Sequence, residues 1–226
     1  MTRTVLCYGD SNTYGHATVP RPDGRYGPAE RWPGVMRGIL GAGWLVIEEG
    51  LGGRTTVNDD PVEGVERNGR TYLYPCLMSH KPLDVVIIML GTNDLKPFLG
   101  RTAFEASKGI GRLIEIIHGH AAADGANASR GERRAPRPKI IIVAPPPLCA
   151  TEHVEMHAHF DLAAAIAESG RFAEWYRRRA DEYGVGFFDA GTVAKAHPAD
   201  GVHLDAASTR AIGEGLVPVV KQVLGL

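Results

Sequence analysis

Residues 84–94 read Asp-Val-Val-Ile-Ile-Met-Leu-Gly-Thr-Asn-Asp. From Val85 to Leu90 every side chain is apolar. A strand with one wet face alternates apolar and polar residues; an unbroken apolar run suits a strand covered on both faces, as in a parallel sheet between helices. Gly91 ends the run. Thr92, Asn93 and Asp94 then place a hydroxyl, a side-chain amide and a carboxylate at its carboxyl end.

The same motif recurs on either side. Thr4-Val-Leu-Cys-Tyr8 stops at Gly9-Asp10, a second run covers 44–47, Lys139-Ile-Ile-Ile-Val-Ala144 stops at Pro145-Pro-Pro147, and a fifth run is Val185-Gly-Phe-Phe188. Between them the apolar residues take helical spacing over 32–40, 72–80, 103–120, part of 160–183, and 206–224. Five strand-and-helix alternations predict a doubly wound α/β domain, a single one spanning 1–226. Two segments exceed that plan. Residues 121–138 are rich in Gly, Asn, Ser, Pro and arginine (Arg130, Arg133, Arg134, Arg137) and read as an exposed loop. The segment 148–170 reads as an insertion suited to substrate contacts or a subunit interface.

Composition excludes other classes. The 226 residues carry a formal net charge of −1, which gives no electrostatic attraction for nucleic acid or an anionic membrane. The arginines of 121–138 lack the interleaved aromatics of a nucleic-acid face. Three scattered cysteines, Cys7, Cys76 and Cys149, argue against a disulfide framework and fit a reducing compartment. No apolar run approaches the ~20 residues that span a bilayer, and the first residues enter a strand at once rather than a signal sequence. The expectation is a soluble, cytoplasmic protein.

In a doubly wound sheet, ligands bind outside the carboxyl ends of the strands. Gly9-Asp10-Ser11-Asn12 follows the first run, Gly50-Leu-Gly-Gly53-Arg54 the second, Gly91-Thr-Asn93-Asp94 the third, and Asp200-Gly-Val-His203 lies a few residues beyond the fifth. Together they supply the parts for acyl transfer through a serine. The Ser11 hydroxyl holds its proton at neutral pH and needs an adjacent base, which His203 provides. Asp200, three residues before it, is positioned to fix the imidazole tautomer. The backbone N–H groups of Ser11 and Gly53 and the side-chain amide of Asn93 are the candidate oxyanion donors. Taken singly, each block also reads as a turn or a helix cap; it is their order, each after a strand, that favours chemistry. No Gly-x-Gly-x-x-Gly follows the first strand, which disfavours a dinucleotide-binding domain.

Gly9-Asp-Ser11, Gly53, Gly91-Thr-Asn-Asp94 and Asp200-Gly-Val-His203 resemble the four blocks of the SGNH (GDSL) hydrolases. Glu48-Glu-Gly-Leu51, Arg54-Thr-Thr56, Asp59-Asp-Pro61, Val86-Ile-Ile-Met-Leu-Gly-Thr-Asn-Asp94 and Pro145-Pro-Pro-Leu148 resemble the bacterial arylesterase and acyltransferase branch of that family. The resemblance implies a flavodoxin-like three-layer α/β/α sandwich with a five-stranded parallel sheet. It implies hydrolysis of short-chain carboxylic esters (aryl or alkyl) without a cofactor or metal, acyl transfer to alcohols or peroxide in some members, and homo-oligomers up to octamers. A carbohydrate O-acetylesterase is the alternative, and a non-catalytic binder on the same fold the remoter one. Asn12 stands in place of the leucine of the GDSL motif and bears on pocket polarity. Tyr14 and His16 stand where a member of the branch has tryptophans and are candidate substrate-binding residues.

Other residues carry weaker expectations. Asp10 supports the turn before Ser11, and Asp94 caps a following helix or steadies the oxyanion loop. Lys96 either reaches the pocket mouth or is solvated. Phe160 lines an acyl or aryl pocket or joins the core. His153 and His157, four apart, would share a helix face; with His159 they read as a pocket rim or interface more than a metal site.

Overall fold

The computed structural model describes residues 2–127 and 137–226. Strands β1 (Arg3–Gly9), β2 (Trp44–Gly50), β3 (Val85–Met89), β4 (Lys139–Ala144) and β5 (Gly186–Asp189) form one sheet in the order β2-β1-β3-β4-β5, with every neighbouring pair parallel. The apolar runs have the double burial their sequence requires. Val5, Cys7, Val85, Ile87, Met89, Ile141 and Val143 point to one face, where they meet Trp32 and Met36 of α2 (Trp32–Leu40) and Ile212, Leu216 and Val220 of α8 (Ala206–Val223). Leu6, Tyr8, Val86, Ile88, Ile140 and Ile142 point to the other. They pack on α3 (Gly69–His80), α4 (Ala103–Asn127) and α7 (Phe172–Tyr183). Residues one apart in a strand face opposite layers, so each strand contributes to both cores.

Two segments differ from expectation. Helix α4 continues to Asn127, into the segment expected as a loop, because Ala121-Ala-Ala123 extends a strong helix former. Arg137 is exposed, whereas Arg130, Arg133 and Arg134 lie outside the described residues. The segment 148–170 is mostly helical, holding α5 (Val154–Phe160) and α6 (Leu162–Ser169), hinged at Asp161 with φ of 42°. Among the described residues, no helix is long and apolar enough to cross a membrane.

The chain leaves β1 toward β2 on one side and then returns to β3 on the other. Loops after β1 and β3 therefore diverge and leave a crevice at the carboxyl ends of the strands. Ser11 follows β1 and Asn93 follows β3 at this end of the sheet.

Candidate active site

Gly9 ends β1, and Asp10 turns the chain into the short helix α1 (Ser11–Tyr14). The Asp10 carboxylate caps that helix by accepting the Asn12 N–H at 3.0 Å. Ser11 is the first helical residue, so its N–H has no carbonyl one turn back to donate to. Asp10 is buried, and burial pushes its carboxyl up to about 6 against the opposing pull of the Asn12 N–H, His203 and Arg54.

His203 arrives on a loop that folds on itself. Its carbonyl accepts the His197 N–H at 2.7 Å, and Ala196 bridges Leu204. One oxygen of Asp200 accepts the backbone N–H groups of Val202 (2.9 Å) and His203 (2.8 Å). The other lies 2.7 Å from His203 Nδ1. Burial alone would raise the Asp200 carboxyl. The His203 ring, its charge and the two N–H groups outweigh burial and hold it at about 2. An ionised carboxylate only accepts, so Nδ1 carries the proton and Nε2 of a neutral ring is left with its lone pair. That nitrogen lies 2.9 Å from Ser11 Oγ. Serine, histidine and aspartate thus stand in line, although 192 residues separate the first pair.

The loop after β2 meets them from the other side. Gly53 takes φ of 74°, a left-handed backbone that glycine adopts without penalty. Arg54, almost fully buried, donates from one guanidinium nitrogen to the carbonyls of Gly9 (2.8 Å) and Glu49, and stacks on Tyr8 with 4.2 Å to the ring centre. It ties the glycine loop to the strand that carries Ser11. Asn93 Nδ2 donates to the Arg54 carbonyl at 3.2 Å; its second amide proton has no acceptor among the described residues. Asp94 caps nothing with its side chain. It accepts from Thr56 N (2.9 Å), Thr56 Oγ1 (2.6 Å) and Asn58 Nδ2 (2.7 Å), and so fixes the loop that carries Gly53. Burial nevertheless leaves its carboxyl raised.

The structure thus lines up Ser11, His203 and Asp200 and ties the Gly53 loop to β1 and to Asn93 through Arg54, and it redistributes the outer residues. His16 is exposed and tilts over His203 with ring centres 4.1 Å apart. Partial desolvation of the ring, then the His203 charge, lowers its pKa against the opposing Asp200 carboxylate. Tyr14 is half-buried under the Arg25 guanidinium, 3.9 Å from the ring centre. Asn12 does not set pocket polarity: it is buried and its Nδ2 donates to the Val202 carbonyl at 3.4 Å, tying α1 to the histidine loop. Lys96 neither reaches the mouth nor meets solvent. It is 1% exposed, with Nζ 2.9 Å from Asp60 and 2.8 Å from Glu63, because a buried ammonium needs paired carboxylates. Phe160 belongs to the core rather than an acyl pocket, since α5 turns it inward against the α3–α4–α7 layer. His153 precedes α5 and caps it, accepting the Met156 N–H, while His159 pairs with Glu63 at 3.1 Å. The three histidines do not converge on one point; the clusters of metal-ligating side chains among the described residues lie elsewhere.

Sequence reading missed the anchors of Asp94 and the Lys96–Asp60–Glu63–His159 chain. Their only signal was the acidic and hydroxyl-rich stretch after Arg54, whose partners lie tens of residues away.

Residues 7–211 match the family described as GDSL-like lipase/acylhydrolase. The chain is 45% identical, over all of both chains, to a crystal structure of a carbohydrate acetylesterase family member from Sinorhizobium meliloti, with a TM-score of 0.89. It is 37% identical to the native aryl esterase of M. smegmatis, over 98% of this chain and all of that one, with a TM-score of 0.86. An acetylxylan esterase of Xylanibacter ruminicola is 29% identical over 146 residues, 63% of this chain; the matched part spans 28% of that longer protein.

Proposed function

The chain belongs to the GDSL-like lipase/acylhydrolase family, and from that premise we propose that it is a serine esterase for short-chain carboxylic esters. The observation that carries this reading is the line of contacts from Asp200 Oδ2 to His203 Nδ1 (2.7 Å) and from His203 Nε2 to Ser11 Oγ (2.9 Å). Ser11 Oγ attacks the ester carbonyl as His203 Nε2 takes its proton. The Asp200 carboxylate faces the imidazolium as it forms. The carbonyl oxygen gathers negative charge, which the N–H groups of Ser11 and Gly53 and the amide of Asn93 stabilise. His203 then returns the proton to the leaving alcohol. Water, deprotonated by the same nitrogen, releases the acid from Ser11 by the reverse steps.

Two alcohol sides suit this reading: an aryl or simple alkyl group, and an acetylated sugar. The likeness to both an aryl esterase and a carbohydrate acetylesterase supports a short acyl group. Transfer of the acyl group to an alcohol or peroxide is the same second step with a different nucleophile in place of water. Assembly as a homo-oligomer belongs to this reading as well. Ser11→Ala should lower p-nitrophenyl acetate turnover ~10⁶-fold, and an organophosphonate should label the wild-type chain at Ser11 alone. Turnover that survives the substitution removes the nucleophile. Comparing aryl acetates with sugar acetates and acetylated xylan, with and without a competing alcohol, separates the substrate classes.

A further inference from the structure

Away from the crevice, the carboxyl end of the edge strand β2 meets α3 in a second cluster that the ester chemistry does not use. Cys76 and His80 are four residues apart on α3, which puts both on one face. Glu49 reaches them from β2. Glu49 Oε1, Cys76 Sγ and His80 Nε2 all lie within 4.8 Å of one another, and the carboxylate and imidazole are 2.7 Å apart. We propose that these three atoms form a binding site for a thiophilic divalent cation of the zinc class.

The donor set has the composition such an ion selects: one sulfur, one imidazole nitrogen and one carboxylate oxygen, with a fourth position for water. Tetrahedral zinc holds such ligands about 3.3–3.6 Å apart. The imidazole and carboxylate, 2.7 Å apart, must open to reach that separation, and the thiol lies within 4.8 Å of both. Burial is graded in the way an entry path requires. Cys76 is fully buried and forms the floor, while the Glu49 and His80 side chains are 20% and 29% exposed and form the mouth. Thiolate, carboxylate and neutral imidazole sum to two negative charges, which a dication neutralises. The nearby Arg54 guanidinium, bonded to the Gly9 and Glu49 carbonyls and stacked on the Tyr8 ring, helps draw the thiol toward its ionised form and sets a cost on a second cation that the thiolate and carboxylate must exceed. Burial, then the Glu49 charge, pushes the Cys76 thiol up to about 12, with Arg54 opposing, so the cation must displace that proton as it binds. The site would clamp the edge strand to α3. Its ligand Glu49 also anchors Arg54 through its backbone carbonyl, so the site connects to the oxyanion loop through that residue.

Cobalt(II) titrated into the metal-free full chain tests this. The expected result is a thiolate-to-cobalt charge-transfer absorption that saturates at one ion per chain. The band should vanish in Cys76→Ser and need at least ~10-fold more cobalt in His80→Gln. It should persist in Cys149→Ser and in His203→Asn, which controls for the second thiol and for binding at the His16–Asp200–His203 group. Zinc should raise the Tm of the wild type and leave that of Cys76→Ser unmoved. Ester turnover by the metal-free Cys76→Ser and His80→Gln variants, equal to that of the wild type, reports that both are folded. Absence of a thiolate band, a band that survives Cys76→Ser, or an equal zinc shift in wild type and Cys76→Ser overturns the proposal. Should Cys76→Ser fail to fold, the His80→Gln titration decides, and an unchanged cobalt affinity there overturns it.

Discussion

On the oxyanion side of the crevice, buried charges hold the loops from a distance. Asp94 reaches 38 residues back to Thr56, and Arg54 reaches 45 residues back to Gly9. On the histidine side, the Asp200 carboxylate bonds to residues two and three positions ahead, and the loop closes on itself between His197 and His203, with Cys149, before α5, donating to the Gly201 and Ala196 carbonyls. The first arrangement makes the geometry of Gly53 and Asn93 part of the folding free energy. The second lets a loop define a catalytic geometry of its own, with Asn12 as a tie to α1. Activity and stability should therefore separate on the histidine side and move together on the oxyanion side.

The largest expected effect comes from Asp200→Asn. An asparagine oxygen still accepts the Val202 and His203 N–H groups, but the amide no longer selects the tautomer with a proton on Nδ1. We expect kcat to fall ~10⁴-fold, with a loss of stability no larger than the ionised carboxylate's own contribution. A fall in Tm as large as that of an Asp94 variant would break the contrast. Asn93→Ala comes next: kcat should fall ~10²–10³-fold at nearly constant KM, because the amide acts on charge that develops only in the transition state.

Asp94→Asn turns one acceptor into a donor facing the hydroxyl and amide donors of Thr56 and Asn58. Urea unfolding should show a loss of about 1–3 kcal/mol, with turnover reduced alongside. An Asp94→Asn protein of full stability would place the anchoring of the oxyanion loop elsewhere. The smallest effect is a pH dependence. Asp10 has its carboxyl raised to about 6, so the folded state binds the proton more tightly than the unfolded chain does. That contribution is present at low pH and lost as pH rises through 6, about 1 kcal/mol between pH 5 and 7. Asp200, held at about 2, stays ionised throughout that window; its contribution is lost only as pH falls toward 2. Asp10→Asn keeps an acceptor for the Asn12 N–H. Its stability relative to the wild type should therefore improve from pH 5 to pH 7; a difference independent of pH would remove the titration of Asp10 from the account.

The reacting groups were legible because each sits where a local rule puts it: beside a strand end, at a helix start, or in a short loop. The carboxyl ends of apolar runs pointed to Ser11, Gly53 and Asn93, and the spacing of Asp200 and His203 allowed their contact. The outer residues were not legible. Lys96 carries no local signal of burial, since an ammonium becomes a core residue only when Asp60 and Glu63, more than thirty residues earlier, fold over it. Asn12 reads as a pocket residue until the histidine loop, nearly two hundred residues on, supplies the Val202 carbonyl.

The sequence by itself determined the five apolar strands, their parallel pairing under two helical layers, and the reacting groups at their carboxyl ends. Hydrophobic periodicity and strand termini are written within a few neighbouring residues. Only the tertiary structure decided how those groups are aimed and which polar residues become buried struts. Long-range hydrogen bonds and desolvation depend on which distant segments meet, and the chain states that nowhere locally.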